Sequence, residues 1–200
     1  MRQISTIIFT LLSVTVMMAQ GWPSQYKGVM LQGFYWDSYT DTQWASLESQ
    51  ADELGEFFNL IWIPQSGKSA GYPKNSMGYD DLYWFTDYTS SFGNEDQLRS
   101  MISTFKAKGL GTIADVVINH RASLADTWMS FPVETYNGIT YKMLPSDICA
   151  NDDNGKAAAN AEIKPTGAND SGDDFDGARD IDHSSQNVQT MVKAYLDMLL

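Results

Sequence analysis

The chain has 200 residues, of which 43% are hydrophobic and 12% aromatic, and this composition excludes a disordered chain, a coiled coil and a collagen-like rod. It carries 25 acidic residues against 13 basic ones, a formal net charge of −12. Such a charge repels nucleic-acid phosphates, so we expect no nucleic acid among its partners.

The N-terminal residues differ from the rest of the chain. Arg2 is followed by an apolar or hydroxylic run over residues 4–18, and the small Ala19 comes directly after it. The run is short for a membrane span and has the order of a secretory signal peptide. We therefore expect cleavage of residues 1–19, secretion to the extracellular space or periplasm, and no stable membrane insertion afterwards. An uncleaved anchor is the alternative.

Strands and helices alternate along the next part of the chain. Residues 29–36 and 59–64 are short apolar runs rich in β-branched and aromatic side chains, which predicts two buried strands. Between them, apolar side chains at three- and four-residue spacing from Trp44 predict a helix with Asp41 or Thr42 as its N-cap.

The same alternation continues after a long polar loop. Residues 65–93 are too many for a simple connection, which favours a functional loop. Asn94 and Gln97 form a capping-box pattern at the start of a second helix, and residues 110–118 predict a third strand. Apolar strands that alternate with amphipathic helices indicate an α/β fold with a parallel sheet.

Residues 121–179 interrupt this order. Their aromatic side chains, Phe175 among them, favour a small packed subdomain over a free linker. A further amphipathic helix begins at Ser184 and has no C-cap signal before Leu200.

Cys149 is the single cysteine, and its acidic neighbours favour an inert structural thiol over a catalytic one.

Polar residues gather where the third strand is predicted to end. The motif DVVINH runs from Asp115, a carboxylate inside an apolar strand, to Asn119 and His120. Ligand chemistry in parallel α/β folds gathers at the carboxyl ends of strands, which favours a functional site. The alternative is a loop cap and a core histidine.

Two other segments suggest ligands. Six aspartates lie between Asn169 and His183, and oxygen ligands at flexible spacing suit Ca²⁺, although a solvated acidic loop is the alternative. Residues 71–85 place aromatic side chains around glycines beside carboxylates. That pattern is typical of a sugar-binding cleft, and the alternative is a loop held by its own aromatic rings.

Together these motifs resemble the α-amylase family of glycoside hydrolases, and most closely its plant-type branch. LQGFYWDS at residues 31–38 is similar to the family's first strand, GYDDLYWF to its tyrosine-bearing loop, and DVVINH to its first signature region. The resemblance implies a TIM (β/α)8 barrel with the first three βα units present. It assigns residues 20–120 to the barrel, 121–179 to an inserted calcium-binding B domain, and 180–200 to the return and the start of the truncated third helix.

The resemblance also implies roles for single residues. Tyr79 stacks on the sugar next to the cleaved bond, His120 binds that sugar's hydroxyls, and Asp115 supports the strand end. The implied calcium ligands are Asn119, Asp170, Asp173 (through its backbone) and Asp180, with Asp152 and Asp174 for a second calcium ion.

The implied function is that of a secreted, calcium-dependent α-amylase, monomeric when complete, which hydrolyses α-1,4-glucosidic bonds of starch or glycogen with retention. The family's nucleophilic Asp and acid/base Glu follow later strands, so an N-terminal fragment without activity of its own is expected. One alternative is a related α-glucan hydrolase or transglycosylase on the same scaffold. The other is a non-catalytic carbohydrate- or calcium-binding protein.

Overall fold

The computed structural model describes residues 27–124, 128–152, 162–170, 175 and 177–200. The predicted signal peptide and two of the predicted calcium ligands, Asp173 and Asp174, lie outside these residues. Within them, no helix is both long enough and apolar enough to cross a membrane.

Three parallel strands organise the fold: β1 (Met30–Gln32), β2 (Leu60–Ile63) and β3 (Gly111–Ala114), with β2 in the centre. The predicted parallel α/β arrangement is confirmed, and the described residues form no closed barrel. Each strand is shorter than predicted. Pro64 has no N–H to extend β2, and the last ladder bond runs from the Asp115 N–H to the Ile63 carbonyl at 3.1 Å. Asp115 therefore lies just beyond β3, and its predicted place inside the strand is wrong.

The predicted helix between the first two strands is in fact two short helices, α1 (Trp44–Ser49) and α2 (Ala51–Phe57). Gln50 separates them with φ −96° and ψ 1°, outside the helical region. The prediction of Asp41 or Thr42 as N-cap is wrong, because the N-cap is Gln43 without a side-chain bond. The Trp44 N–H instead donates to the Phe92 carbonyl at 2.8 Å. A loop later in the chain therefore provides the acceptor for the first N–H group of α1.

The two longer helices, α3 (Glu95–Ala107) and α4 (Gln186–Leu199), follow their predictions closely. The capping box of α3 is confirmed, since the Asn94 side chain accepts from the Gln97 N–H and the Gln97 side chain accepts from the Asn94 N–H, both at 3.0 Å. Ser185 caps α4, one residue later than predicted.

The segment after β3 contains two small antiparallel sheets. They pair β4 (His120–Arg121) with β7 (Arg179–Asp180), and β5 (Glu134–Tyr136) with β6 (Ile139–Tyr141). The first pair brings the two ends of the 121–179 segment together. The second is a hairpin that was not predicted, although Asn-Gly is the strongest short hairpin signal. Asn137 and Gly138 both have the positive φ of such a turn.

Two clusters of buried apolar side chains stabilise these elements. One lies between the sheet and α1–α3 and includes Trp44, Ile61, Met101 and Phe105. The other joins the loop after β2, the 121–179 segment and α4, and includes Trp84, Ile148, Met191 and Tyr195. The loop that carries Tyr79 is therefore packed against the interrupting segment on one side and the sheet on the other.

Candidate functional site

The candidate site lies at the carboxyl edge of the parallel sheet. Trp36 follows β1, Tyr79 belongs to the loop after β2, and Asp115 and His120 follow β3. Because parallel strands end at the same edge, residues far apart in the chain meet there.

Tyr79 contacts both polar residues that follow β3. Its phenol donates to Asp115 Oδ2 at 3.1 Å, and its backbone carbonyl lies 2.7 Å from His120 Nε2. A carbonyl oxygen only accepts, so Nε2 is the donor in this contact. The structure thus brings together the three residues predicted to bind the sugar or support the site.

Burial controls the protonation of Tyr79 and Asp115. Burial, reinforced by the charge and hydrogen bond of Asp115, raises the pKa of Tyr79 to about 12. Burial also raises the pKa of Asp115, and hydrogen bonds from Tyr79 and Trp62 offset part of that rise. Tyr79 is consequently protonated at neutral pH and acts as a donor to Asp115.

Trp36 adds an exposed aromatic surface to the site. Its ring and that of Tyr79 are nearly parallel, with planes 9° apart and centroids 6.0 Å apart. Trp36 is 69% exposed, which is unusual for so large an apolar side chain. The apolar run over residues 29–36 predicts Trp36 within the first strand and gives no sign of this role. Because β1 ends at Gln32, Trp36 lies beyond the strand, at the site.

The 121–179 segment also contributes an aromatic ring. Phe175 stacks on His120 with ring centroids 4.7 Å apart and planes 30° apart, and it is 44% exposed. From the sequence, Phe175 is expected only as one of the aromatic residues of a packed subdomain. Its contact instead restricts the orientation of the His120 imidazole.

The predicted calcium ligands come together only in part. Asn119 Nδ2 donates to Asp180 Oδ1 at 3.4 Å, beside the β4–β7 pair. Asp170 instead exchanges hydrogen bonds with Asn151, at 3.0 and 3.1 Å. Among the described residues, no three His, Cys, Asp or Glu side chains converge on one point. Amide and carboxylate oxygens are of the type that Ca²⁺ takes, so the donors fit calcium chemically and the site stays a prediction.

Asp152, predicted for a second calcium ion, takes part in a buried ion pair. Its Oδ2 lies 3.0 Å from Arg179 Nη1, and its Oδ1 accepts from the Asp180 N–H at 3.2 Å. The Arg179 guanidinium also lies 3.9 Å from the centroid of the Trp128 ring. These contacts favour a structural role for Asp152, and its assignment to calcium stays a prediction.

Cys149 is buried beside the same carboxylates. Burial, together with the charges of Asp170 and Asp180, raises the pKa of its thiol to about 12. Since the thiolate is the nucleophile, this environment agrees with the predicted inert role.

The chain is similar in sequence to known α-amylases. It is 29% identical over 170 residues to Alpha-amylase 3, chloroplastic, of Arabidopsis thaliana, covering 84% of this chain and 18% of that protein. It is 30% identical over 141 residues to Glucan 1,4-alpha-maltohexaosidase of Bacillus sp. (strain 707), covering 66% of this chain and 26% of that protein. The chain therefore spans only a minor part of these relatives. No family model matches it.

The fold has a solved counterpart. A mutant of alpha-amylase I from Eisenia fetida, in complex with maltohexaose, superposes with a TM-score of 0.54 and 18% sequence identity, covering 86% of this chain and 34% of that one. At this identity the likeness concerns the arrangement of the backbone.

Proposed function

This chain belongs to the α-amylase family of glycoside hydrolases, and we propose that it supplies substrate contacts for an α-1,4-glucan such as starch or glycogen. The observation that carries the proposal is the stacked pair of exposed Trp36 and half-buried Tyr79 beside Asp115 and His120. A pyranose ring has an apolar face that packs on aromatic rings and hydroxyls that require polar partners. The site offers both within one edge of the sheet.

Each residue has a distinct part in this proposal. Tyr79 stacks on the sugar, His120 accepts from a sugar hydroxyl through Nδ1 because its Nε2 donates to the Tyr79 carbonyl, and Asp115 holds the Tyr79 phenol. For the whole protein we propose retaining hydrolysis, in which a carboxylate attacks the anomeric carbon and a carboxylic acid protonates the leaving oxygen. We assign neither of those two groups to a residue of this chain.

The remaining architecture is proposed on the same basis. The three parallel strands correspond to the first three of a (β/α)8 barrel, and residues 121–179 to the inserted B domain. The pairing of His120–Arg121 with Arg179–Asp180 supports this, because it closes the insertion at its base. Residues 1–19 act as a secretory signal in this proposal.

Calcium is the proposed metal. Asn119, Asp170 and Asp180 would hold it with oxygen donors where the insertion meets the sheet, and a bound divalent cation would supply positive charge among these carboxylates. The adjacency of Asn119 and Asp180 across β4 and β7 supports this assignment. Since Asn119 precedes His120, the metal would also steady the substrate site.

Titration of the full chain with maltohexaose tests the proposal, with tryptophan fluorescence as the readout. We expect saturable binding, weakened about fivefold by Trp36→Ala, because an aromatic contact contributes about 1 kcal/mol. Phe57→Ala is the matched control, since Phe57 is also exposed, at 64%, but ends α2 next to the amino edge of the sheet. Cellohexaose, with β-1,4 linkages, should not compete. Equal affinity of both variants and of both sugars would refute the proposal.

A further inference from the structure

A buried ion pair lies beside the site and joins the 121–179 segment to the loop that carries Tyr79. Arg121 on β4 and Glu134 on β5 are 1% and 2% exposed, and Arg121 Nη2 lies 2.5 Å from Glu134 Oε1. Two buried charges are tolerated only when the geometry is good and further hydrogen bonds satisfy both groups. The partners of each charge therefore show what the pair holds in place.

Glu134 caps consecutive amides of the loop. The Trp84 N–H donates to Oε1 at 3.1 Å, and the N–H groups of Phe85 and Thr86 donate to Oε2 at 2.7 and 3.0 Å. The Thr86 hydroxyl donates to Oε2 as well, at 3.0 Å. One carboxylate thus satisfies three consecutive backbone N–H groups that lie outside the strands.

Arg121 holds the same loop through a carbonyl and a ring. Its Nε and Nη2 donate to the Leu82 carbonyl at 3.2 and 2.9 Å. Its guanidinium lies 4.7 Å from the centroid of the Trp84 ring. Glu134 neutralises the charge that makes both contacts.

The two neighbours of Arg121 contact the loop closer to Tyr79. His120 Nε2 donates to the Tyr79 carbonyl at 2.7 Å, and the Ala122 N–H donates to the Asp81 carbonyl at 2.8 Å. Three consecutive residues after β3 therefore bind the loop at Tyr79, Asp81 and Leu82. The contact at Leu82 is made by Arg121, whose charge is paired with Glu134.

We propose that the Arg121–Glu134 pair positions Tyr79 for glucan binding, with Glu134 as a positioning residue that never touches the sugar. This inference rests on the proposed glucan site. Without the Glu134 charge, Arg121 is buried without this counter-ion, and a glutamine offers the loop N–H groups one acceptor oxygen instead of two. The loop then shifts, and the Tyr79 ring is no longer fixed against Trp36 and Asp115.

Calorimetric titration of the full chain with maltohexaose tests this inference. Glu134→Gln keeps the size of the side chain and removes its charge. Met101→Ala is the control, because Met101 on α3 is fully buried and its truncation lowers stability without removing any contact of Arg121 or Glu134. We expect Glu134→Gln, folded by circular dichroism, to bind about tenfold more weakly, and Met101→Ala to bind like the unmodified chain. Unchanged affinity of Glu134→Gln would overturn the positioning role, whereas absent binding by the unmodified chain would overturn the glucan site itself.

Hydrogen exchange on the unmodified chain gives a second test, which does not depend on whether the Glu134→Gln variant folds. The amides of Trp84, Phe85 and Thr86 are expected to exchange as slowly as those of β2, because the Glu134 carboxylate holds them. Maltohexaose should slow the exchange of these amides further, because the sugar binds the loop conformation in which Glu134 accepts their hydrogen bonds. Exchange at the rate of open loop amides would contradict the inference.

Discussion

The Tyr79 phenol donates a hydrogen bond of 3.1 Å to Asp115 Oδ2, and this bond crosses from the loop after β2 to the end of β3. It fixes one edge of the Tyr79 ring, while the Tyr79 carbonyl is held by His120. The aromatic surface of the site is therefore oriented by polar residues that follow the neighbouring strand.

This bond separates two roles of Tyr79. Tyr79→Phe keeps the ring and loses the donor, so we expect a loss of maltohexaose affinity of a few-fold. Tyr79→Ala removes the stacking surface, and we expect about tenfold weaker binding or more. Isothermal titration of both variants checks the order, and equal losses would show that the ring is not a stacking surface.

Asp115 should make stability depend on pH. Burial raises its folded-state pKa, so between the ordinary and the raised pKa the folded chain binds more protons than the unfolded chain. Stability contributed by this group is therefore lost as pH rises through that window. We expect Asp115→Asn to flatten this fall and to stabilise the chain at neutral pH. Urea unfolding between about pH 4 and 7 measures it, and profiles of the same slope would contradict the assignment.

Calcium should stabilise the chain. A ligand that binds only the folded state at a hundred times its Kd adds about 2.7 kcal/mol, so we expect Ca²⁺ to raise the melting temperature and EDTA to reverse the rise. Asn119→Ala and Asp180→Ala should abolish the response. Asp197→Ala, on the exposed face of α4, should leave it intact. A melting temperature that changes with neither Ca²⁺ nor EDTA would refute the assignment of these residues as calcium ligands.

Asp152 and Arg179 should behave as a structural pair. Asp152→Ala removes a carboxylate that pairs with the buried Arg179 guanidinium, and breaking a buried ion pair costs about 3–5 kcal/mol. We expect this loss to be the same in Ca²⁺ and in EDTA. Chemical unfolding in the two buffers checks this, and a loss confined to the calcium buffer would support Asp152 as a metal ligand instead.

The sequence predicted elements whose signals are local. The Asn94–Gln97 capping box and the apolar runs of the three strands need no tertiary information, and both are found in the fold. The exposure of Trp36 and the capping of α1 by the Phe92 carbonyl depend on where distant loops pack. Local periodicity carries no such information.

The sequence likewise predicted only part of the candidate site. Residues after a strand end are placed at the carboxyl edge by topology alone, which is why Tyr79, Asp115 and His120 meet. The buried pair of Arg121 and Glu134 spans an irregular segment, and nothing in its spacing pairs the two charges. The Asn137–Gly138 turn was a readable signal for the hairpin that carries Glu134.

A crystal structure of the full chain soaked with maltohexaose tests the central claim most directly. The account predicts a glucose ring packed on the Trp36–Tyr79 pair at van der Waals distance, about 4 Å, with its hydroxyls facing His120. A glucan bound at another surface, with the Trp36–Tyr79 pair still open to solvent, would contradict it.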